Sequence, residues 1–275
     1  DGYDRMTVAV HLSGTGPYRF LVDTGADRTA ISRELATKLK LASGEKASLH
    51  SVAGVSTVST ATVPDLQLTR KNVQVVDAPL LESSNMGADG ILGTDSLKSE
   101  RVLFDFEGQT LSIVPSKKYQ NLDEPGAIVI TARNRNGRLI ITEATANGRP
   151  LTVVLDTGAQ VSIGNSALRR QLLGRSPPDG SHMVQLQSVT GGTIAGDYMF
   201  AREIALGGID LHNLPIVFAD AHTFKTLGLD RKPALLLGMN ALRAFKKVSI
   251  DFANKTFRVV VPEHSENNVK MASRL

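Results

Sequence analysis

The sequence predicts a mainly β protein built from two related halves, with only a few short helices. Three observations predict this fold class. Most of the 275-residue chain reads as short stretches that alternate with period two or are rich in β-branched residues. Helical periodicity is confined to short segments. Four short motifs occur twice, in the same order, which indicates an internal duplication.

The predicted strands are short and are separated by turn residues. Glycine, asparagine and aspartate pairs such as Asn147-Gly148 mark the turns between them. This spacing is typical of many antiparallel strands. The clearest strand segments are Thr7–Leu12, 72–76, 110–114, 127–130 and 256–261.

Four helices are predicted, and all are short. Ser32 is a suitable N-cap for the first, in which Leu35 and Leu39 lie four residues apart. Leu168 and Leu172 repeat this spacing in the third helix. The predicted helices span 32–40, 95–100, 166–173 and 240–245.

The internal repeat is carried by four pairs of motifs. Residues 20–26 read FLVDTGA, and residues 153–159 read VVLDTGA, 133 residues later. The later pairs lie up to 146 residues apart, as small insertions in the second copy would produce. These pairs are SVAG 51–54 with SVTG 188–191, ILGTD 91–95 with LLGMN 236–240, and FDF 104–106 with IDF 250–252.

The repeat divides the chain into two lobes. We expect an N-terminal lobe over 1–115, a linker over 116–126, a C-terminal lobe over 127–262 and a tail over 263–275. The linker is polar, runs between Pro115 and Pro125, and ends at a glycine.

Composition excludes several function classes. The chain has 41% hydrophobic and 21% charged residues and a formal charge of +4, without a Lys/Arg-rich block, so no nucleic-acid partner is expected. It has no cysteine, which excludes a thiolate nucleophile and a cysteine-ligated zinc. No apolar run approaches the roughly 18–20 residues of a membrane span. The six histidines form no ligand motif, so neither a metal nor a cofactor is expected.

The duplicated Asp-Thr-Gly triads carry the predicted chemistry. One such triad alone is equally typical of an Asx-turn. Here each follows an apolar run at the same place in a repeated half, so two loops could bring Asp23 and Asp156 together. Two adjacent carboxylates cannot both ionise easily and therefore share a proton. One can then act as general base on a water and the other as general acid.

These segments resemble the aspartic proteases of the retropepsin and pepsin superfamily. The 20–26 and 153–159 motifs match the family's catalytic loop, and 91–93 and 236–238 match its second, apolar-apolar-Gly signature. The resemblance implies a bilobal acid-protease fold with two pseudo-twofold-related halves. Because the halves are each about a retropepsin subunit long, it also implies a monomer that contains an intramolecular pseudo-dimer.

The resemblance assigns roles to residues of both halves. It implies that Asp23 and Asp156 are the catalytic pair. The residues expected to support the loops are Thr24, Gly25, Thr157, Gly158, Gly93 and Gly238. Those expected to bind substrate are Ala26, Asp27, Ala159 and Gln160, with Val52, Ala53, Gly54, Val189, Thr190 and Gly191 in two candidate flap hairpins over 51–58 and 188–196.

Two departures within the resemblance carry further expectations. Asp27 stands where the family's aspartate binds substrate backbone, whereas Gln160 occupies that place in the second half, so the two sides of the cleft should differ. Ala26 and Ala159 stand where pepsins have a hydroxyl residue. The loss of that donor should raise the pKa at which the pair titrates. We therefore expect a pH optimum of activity in mildly acidic or near-neutral conditions.

The expected function is an aspartic endopeptidase that hydrolyses extended protein or peptide substrates by a water activated between two aspartates. The alternative is a catalytically silent protease-like fold used for binding or scaffolding. A two-carboxylate glycosidase would need unequal environments and no symmetric motif, so the duplicated loops argue against it. From the resemblance we expect a periplasmic or secreted bacterial protein.

Overall fold

The computed structural model describes residues 6–68, 72–116, 126–174, 182–262 and 268–270. Its elements are mostly strands with a few short helices, which confirms the predicted fold class. Residues 117–125 of the predicted linker lie outside the described residues. In the predicted tail, Asn268–Lys270 form a strand, and the other tail residues lie outside the described part.

The described residues of the first half form eleven strands and three helices. The strands are Thr7–Leu12 (β1), Thr15–Val22 (β2), Ala30–Ser32 (β3), Ala42–Ser43 (β4), Ala47–Ser51 (β5), Gly54–Val58 (β6), Thr60–Gln67 (β7), Asn72–Leu81 (β8), Gly90–Leu92 (β9), Glu100–Asp105 (β10) and Thr110–Pro115 (β11). The helices are Arg33–Lys38 (α1), Ser83–Met86 (α2) and Thr94–Leu97 (α3).

The second half contains twelve described strands and three described helices. The strands are Ala127–Thr131 (β12), Arg133–Arg135 (β13), Arg138–Ala146 (β14), Arg149–Leu155 (β15), Ser162–Gly164 (β16), His182–Gln187 (β17), Thr193–Leu206 (β18), Ile209–Phe218 (β19), Ala234–Leu237 (β20), Lys247–Asp251 (β21), Thr256–Val260 (β22) and Asn268–Lys270 (β23). The helices are Ser166–Leu173 (α4), His222–Thr226 (α5) and Met239–Leu242 (α6).

The two halves have the same strand order. The first-half sheet runs β1-β2-β9-β3-β8-β7-β4, and the second-half sheet contains the run β14-β15-β20-β16-β19-β18 in the same positions. In each, the strand that leads to the DTG triad pairs in parallel with the strand that ends in the apolar-apolar-Gly motif. The first and last strands of this run also pair, β1 with β7 and β14 with β18. The duplication read from the motifs is therefore a duplication of topology.

A five-stranded sheet joins the halves. Its order is β11-β10-β21-β22-β12, and β10 of the first half pairs antiparallel with β21 of the second. Across this junction Arg101 donates to Asp251, with 2.8 Å between Arg101 Nη2 and Asp251 Oδ2. Asp251 also accepts from the Ser116 hydroxyl. The largest apolar cluster runs through both halves and this sheet, with Phe20, Phe104, Phe245 and Phe257 among its members.

The two predicted helices whose first turns have side-chain N-caps are present near their predicted positions. Ser32 caps α1 by accepting from Leu35 N, and α4 spans the predicted 166–173. The other two predicted helices are shorter than expected, and residue 100 already belongs to β10. The sequence reasoning missed α2 and α5, which have four and five residues, because so short a segment shows no helical period.

Candidate active site

The two aspartate loops leave equivalent strands in equivalent ways. Asp23 follows β2, and its N–H donates to Leu92 O of β9 at 3.0 Å. Asp156 follows β15, and its N–H donates to Leu237 O of β20 at 3.1 Å. The parallel pairing therefore ends at the same point in both halves, and each carboxylate stands at the end of a buried strand.

Thr24 and Thr157 lock one loop to the other. The Thr24 hydroxyl donates to Leu155 O, and the Thr157 hydroxyl donates to Val22 O, each at 2.7 Å. Each threonine N–H donates to the other threonine's Oγ1 at 3.1 Å. Both side chains are buried, so these four bonds are shielded from water. The loops are held together by reciprocal contacts between the halves.

Each loop's glycine faces the aspartate of the other loop. A Cβ on Gly25 would lie 2.6 Å from Asp156 Oδ1, and a Cβ on Gly158 would overlap the Asp23 carboxylate. Only a residue without a side chain allows this approach. The geometry thus brings the two predicted catalytic carboxylates into one site at the boundary between the halves.

The two carboxylates have unequal surroundings. Asp156 is only 7% exposed, whereas Asp23 is partly exposed. Burial and, second, the charge of Asp23 raise the pKa of Asp156 to about 7. Backbone N–H groups of Ala159 and Gly158 donate to Asp156 and oppose this rise. Gly25 N–H donates to Asp23 Oδ1 at 2.8 Å.

Arg138, which the sequence reasoning missed, reaches from β14 across to the first loop. Its Nε donates to Gly25 O at 2.9 Å, and its Nη1 lies 2.9 Å from Asp27 Oδ1. The arginine side chain is 7% exposed and the Asp27 side chain 56% exposed. The charge of Arg138 also lowers the pKa of Asp156. No local sequence signal identifies this residue, since its role depends on a contact between the halves.

The second half differs at the place of Asp27. Gln160 accepts a backbone bond from Asn240 N at 3.0 Å and lines a cavity of about 20 Å³ with Met239 and Arg243. The structure therefore places a carboxylate–guanidinium pair beside one loop and an uncharged amide beside the other. The two sides of the site are chemically different.

A second polar layer supports the loops; its two glycines were predicted, and the sequence reasoning missed its polar side chains. Thr29 donates through N–H and hydroxyl to Asp95, and its Oγ1 accepts from Gly93 N. Ser162, Asn240 and Gly238 repeat this arrangement in the second half. Asp95 and Asn240 end the repeated 91–95 and 236–240 motifs, so an alignment of the two copies could have found them.

Gly93 and Gly238 permit this support by close backbone contact. A Cβ on Gly93 would lie 2.6 Å from Arg28 O, and a Cβ on Gly238 would lie 2.8 Å from Val161 O. Both glycines therefore stand directly behind the chain that follows the DTG triads. Any side chain here would push the loop away from its support.

Two hairpins, one from each half, meet at their tips. The first hairpin, residues 47–58, is β5 and β6; the second hairpin, residues 182–198, is β17 and the start of β18. At their tips Ser51 Oγ lies 3.5 Å from Thr190 Oγ1, and a Cβ on Gly192 would lie 3.1 Å from Ala53 Cβ. Gly54 and Gly191 have positive φ, as tight hairpin turns require.

Each hairpin tip packs on the opposite half. Val52 of the first hairpin contacts a second-half apolar cluster that contains Phe224 and Leu236. Val189 of the second hairpin packs with Ala26 in a first-half cluster that contains Leu21 and Ile91. The structure thus packs Val189 and the loop residue Ala26 on the same first-half cluster, whereas Val52 packs on the second-half cluster, so the two tips cross.

Among the described residues no group of three or more histidine or acidic side chains could hold a metal ion. None of the helices in the described ranges is long and apolar enough to cross a membrane.

Comparisons with known proteins agree with this geometry. Residues 8–99 match the family model described as "gag-polyprotein putative aspartyl protease", and residues 142–241 match the model described as "Aspartyl protease". The chain belongs to the aspartyl proteases. Each half of this aspartyl protease carries its own family match, and each match includes one DTG triad. No curated protein matches the protease sequence.

One solved structure similar to this chain is the crystal structure of a retropepsin-like aspartic protease from Rickettsia conorii. The two sequences are 22% identical, and the match covers 49% of this chain and 89% of that chain. The TM-score is 0.35.

Proposed function

We propose that this protein is an aspartic endopeptidase in which Asp23 and Asp156 form one catalytic pair. The reciprocal approach of each loop's glycine to the other loop's aspartate carries the proposal. That arrangement brings two carboxylates so close that one of them holds a proton. The threonine bonds between the loops fix the pair before substrate arrives, as a preorganised site requires.

The unequal surroundings of the pair divide the roles. Burial and the charge of Asp23 raise the pKa of Asp156 to about 7, so it holds the shared proton in mildly acidic solution. We assign the ionised role to Asp23, which is partly exposed. Asp23 takes a proton from the attacking water, while Asp156 donates its proton to the carbonyl oxygen of the scissile peptide bond. Neither step requires a metal or a cofactor.

The raised pKa has a different main cause from the one the sequence suggested. The alanines at 26 and 159 leave out a hydroxyl donor, but burial is the largest effect on Asp156 and the charge of Asp23 the second. Both effects extend the singly protonated form of the pair toward neutral pH. We therefore propose maximal activity between mildly acidic and neutral pH.

The substrate is an extended polypeptide. A chain lying between the catalytic loops and the two hairpins can pair its backbone with exposed groups along the cleft, as an added strand does. Asp27 is more than half exposed and can accept a substrate N–H, whereas Gln160 offers both a donor and an acceptor. Binding should therefore differ on the two sides of the scissile bond.

The test is cleavage of denatured casein from pH 3 to 8 by wild type and by Asp23→Asn and Asp156→Asn. The exposed Asp230→Asn is the matched control. Both site variants should lose activity by at least about 10²-fold, as expected when a general acid or base is removed, and the control should keep it. Wild type that cleaves no substrate at any pH would contradict the proposal and favour a protease-like binding module.

A further inference from the structure

The first hairpin is fastened to the second half by two histidines. His50 of β5 and His222 of α5 lie with 2.8 Å between His50 Nδ1 and His222 Nε2, and their rings stack at a centroid distance of 5.1 Å. His222 N–H also donates to Val52 O at the hairpin tip, at 3.0 Å. These contacts join the hairpin of the first half to α5 of the second half.

An imidazole–imidazole hydrogen bond needs one nitrogen without a proton. When both rings are protonated, both facing nitrogens are donors and both rings carry positive charge. The bond is then lost, and like charges face each other at hydrogen-bond distance. The contact between His50 and His222 therefore depends on pH in the range where histidine titrates.

The second hairpin is fastened differently. Gln187 Nε2 donates to Asn85 Oδ1 at 3.3 Å, which joins the second hairpin to the first half beside α2. Side-chain amides do not titrate in the physiological range. Of these two side-chain contacts between the halves, the one at the first hairpin is titratable and the one at the second is neutral.

The surroundings of His222 favour its uncharged form. His50 is the only titratable residue on β5 and β6, and Lys225 is the other charged residue on α5. On β8, which packs against the first hairpin, Asp77 accepts from the Thr60 hydroxyl. Asp220, just before α5, accepts from Ser166. Burial, then His50, then Lys225 lower the pKa of His222.

We propose that His50 and His222 form a pH-sensitive latch that holds the first hairpin over the catalytic loops at neutral pH and releases it on acidification. The second hairpin stays in place across the same range. The latch itself does not depend on the proposed function. Its consequence, that acidification opens the cleft to substrate, rests on that function.

The direction of the pH effect on the latch follows from proton binding. In the latched state the pKa of His222 is lowered, so this state binds protons more weakly than the released state, in which His222 returns to its ordinary value. The latch therefore contributes its full stability above the ordinary histidine range and loses it as pH falls through that range. The ratio of latched to released protein changes by at most tenfold per pH unit for each proton taken up.

The test measures hairpin position directly and needs no catalysis. The chain has no cysteine, so pairs of spin labels can be placed without removing native thiols. Val55→Cys with Arg231→Cys reports the first hairpin, and Met183→Cys with Val76→Cys reports the second; all four positions are exposed. Distances are measured by double electron–electron resonance at pH 8 and pH 5.

The measurements are made in an Asp156→Asn background, so that titration of the catalytic pair cannot cause the response. We expect a single distance for the first hairpin at pH 8, a second and longer distance at pH 5, and no change for the second hairpin. His222→Gln and His50→Gln should remove this pH response, whereas the exposed His11→Gln should keep it.

Three results would overturn the latch: a first-hairpin distance that is the same at both pH values, an equal change in both hairpins, or a full pH response in both histidine variants. Because none of these readings depends on peptide cleavage, a failed latch and a failed assignment of protease activity remain distinguishable.

Discussion

Thr24 and Thr157 each donate a hydroxyl hydrogen bond into the opposite half and each accept the other's backbone N–H. The four bonds are buried and symmetric, although the halves around them have diverged. They connect the two catalytic loops through fixed backbone atoms, Leu155 O and Val22 O. The relative position of Asp23 and Asp156 therefore depends on both threonines together.

Replacing either threonine by valine should destabilise the protein by about 1–3 kcal/mol, because a buried N–H and a buried carbonyl each lose their partner. The double variant should cost less than the sum of the two single variants, since each single variant removes two of the four bonds and weakens the loop contact that positions the other two. Urea unfolding measures these free energies. Thr24→Ser, which keeps the hydroxyl, is the control, and strictly additive effects would contradict a shared network.

Arg138→Met should destabilise the protein by about 1–3 kcal/mol at pH 8. The loss comes mainly from Gly25 O, which loses its donor, because Asp27 is too exposed for the ion pair itself to contribute much. Asp27→Asn is the matched control and should change stability by less than about 1 kcal/mol.

Removal of Arg138 should also raise the pKa of Asp156, since the arginine charge lowers it. The alkaline limb of the pH–activity profile should then move to higher pH in Arg138→Met and stay in place in a surface variant such as Arg231→Met. A limb that stays in place in Arg138→Met would show that the arginine does not act on the catalytic pair.

Asp156→Asn should stabilise the protein at pH 8 and leave its stability unchanged near pH 3. The folded state raises the pKa of this carboxyl from 3.8 to about 7, so stability falls as pH rises through this window. Asparagine avoids that loss and can still accept from Gly158 N–H. At 1.36 kcal/mol per pKa unit, the free energy of unfolding of Asp156→Asn at pH 8 should exceed that of wild type by about 1–4 kcal/mol.

Thermal unfolding of wild type and Asp156→Asn at pH 3 and pH 8 measures this difference. An equal effect at both pH values would mean that Asp156 is not buried in a raised-pKa state.

The parts of the fold that sequence reasoning could predict are those that rest on local residue types. The repeated DTG and apolar-apolar-Gly motifs indicated the duplicated strand order, because each motif requires its own strand and turn. Ser32 marked α1 by its capping side chain. The loop glycines were predicted through a resemblance, and the structure shows the close approach that requires them.

The missed parts depend on contacts between segments far apart in the chain. Arg138 reads as the first residue of an ordinary strand, and only the packing of β14 against the first loop gives it a role. The crossing of Val52 and Val189 onto opposite halves has no sequence signal either, since both are common strand residues at hairpin tips. The histidine pair joins positions 172 residues apart.

The most direct test of the central claim is a mixing experiment with Asp23→Asn and Asp156→Asn at one saturating peptide concentration. If one chain supplies both carboxylates, each variant alone and the equimolar mixture should all stay at least about 10²-fold below wild type. Activity that returns on mixing would show that the pair forms between two chains. Wild-type activity in either single variant would contradict a shared pair altogether.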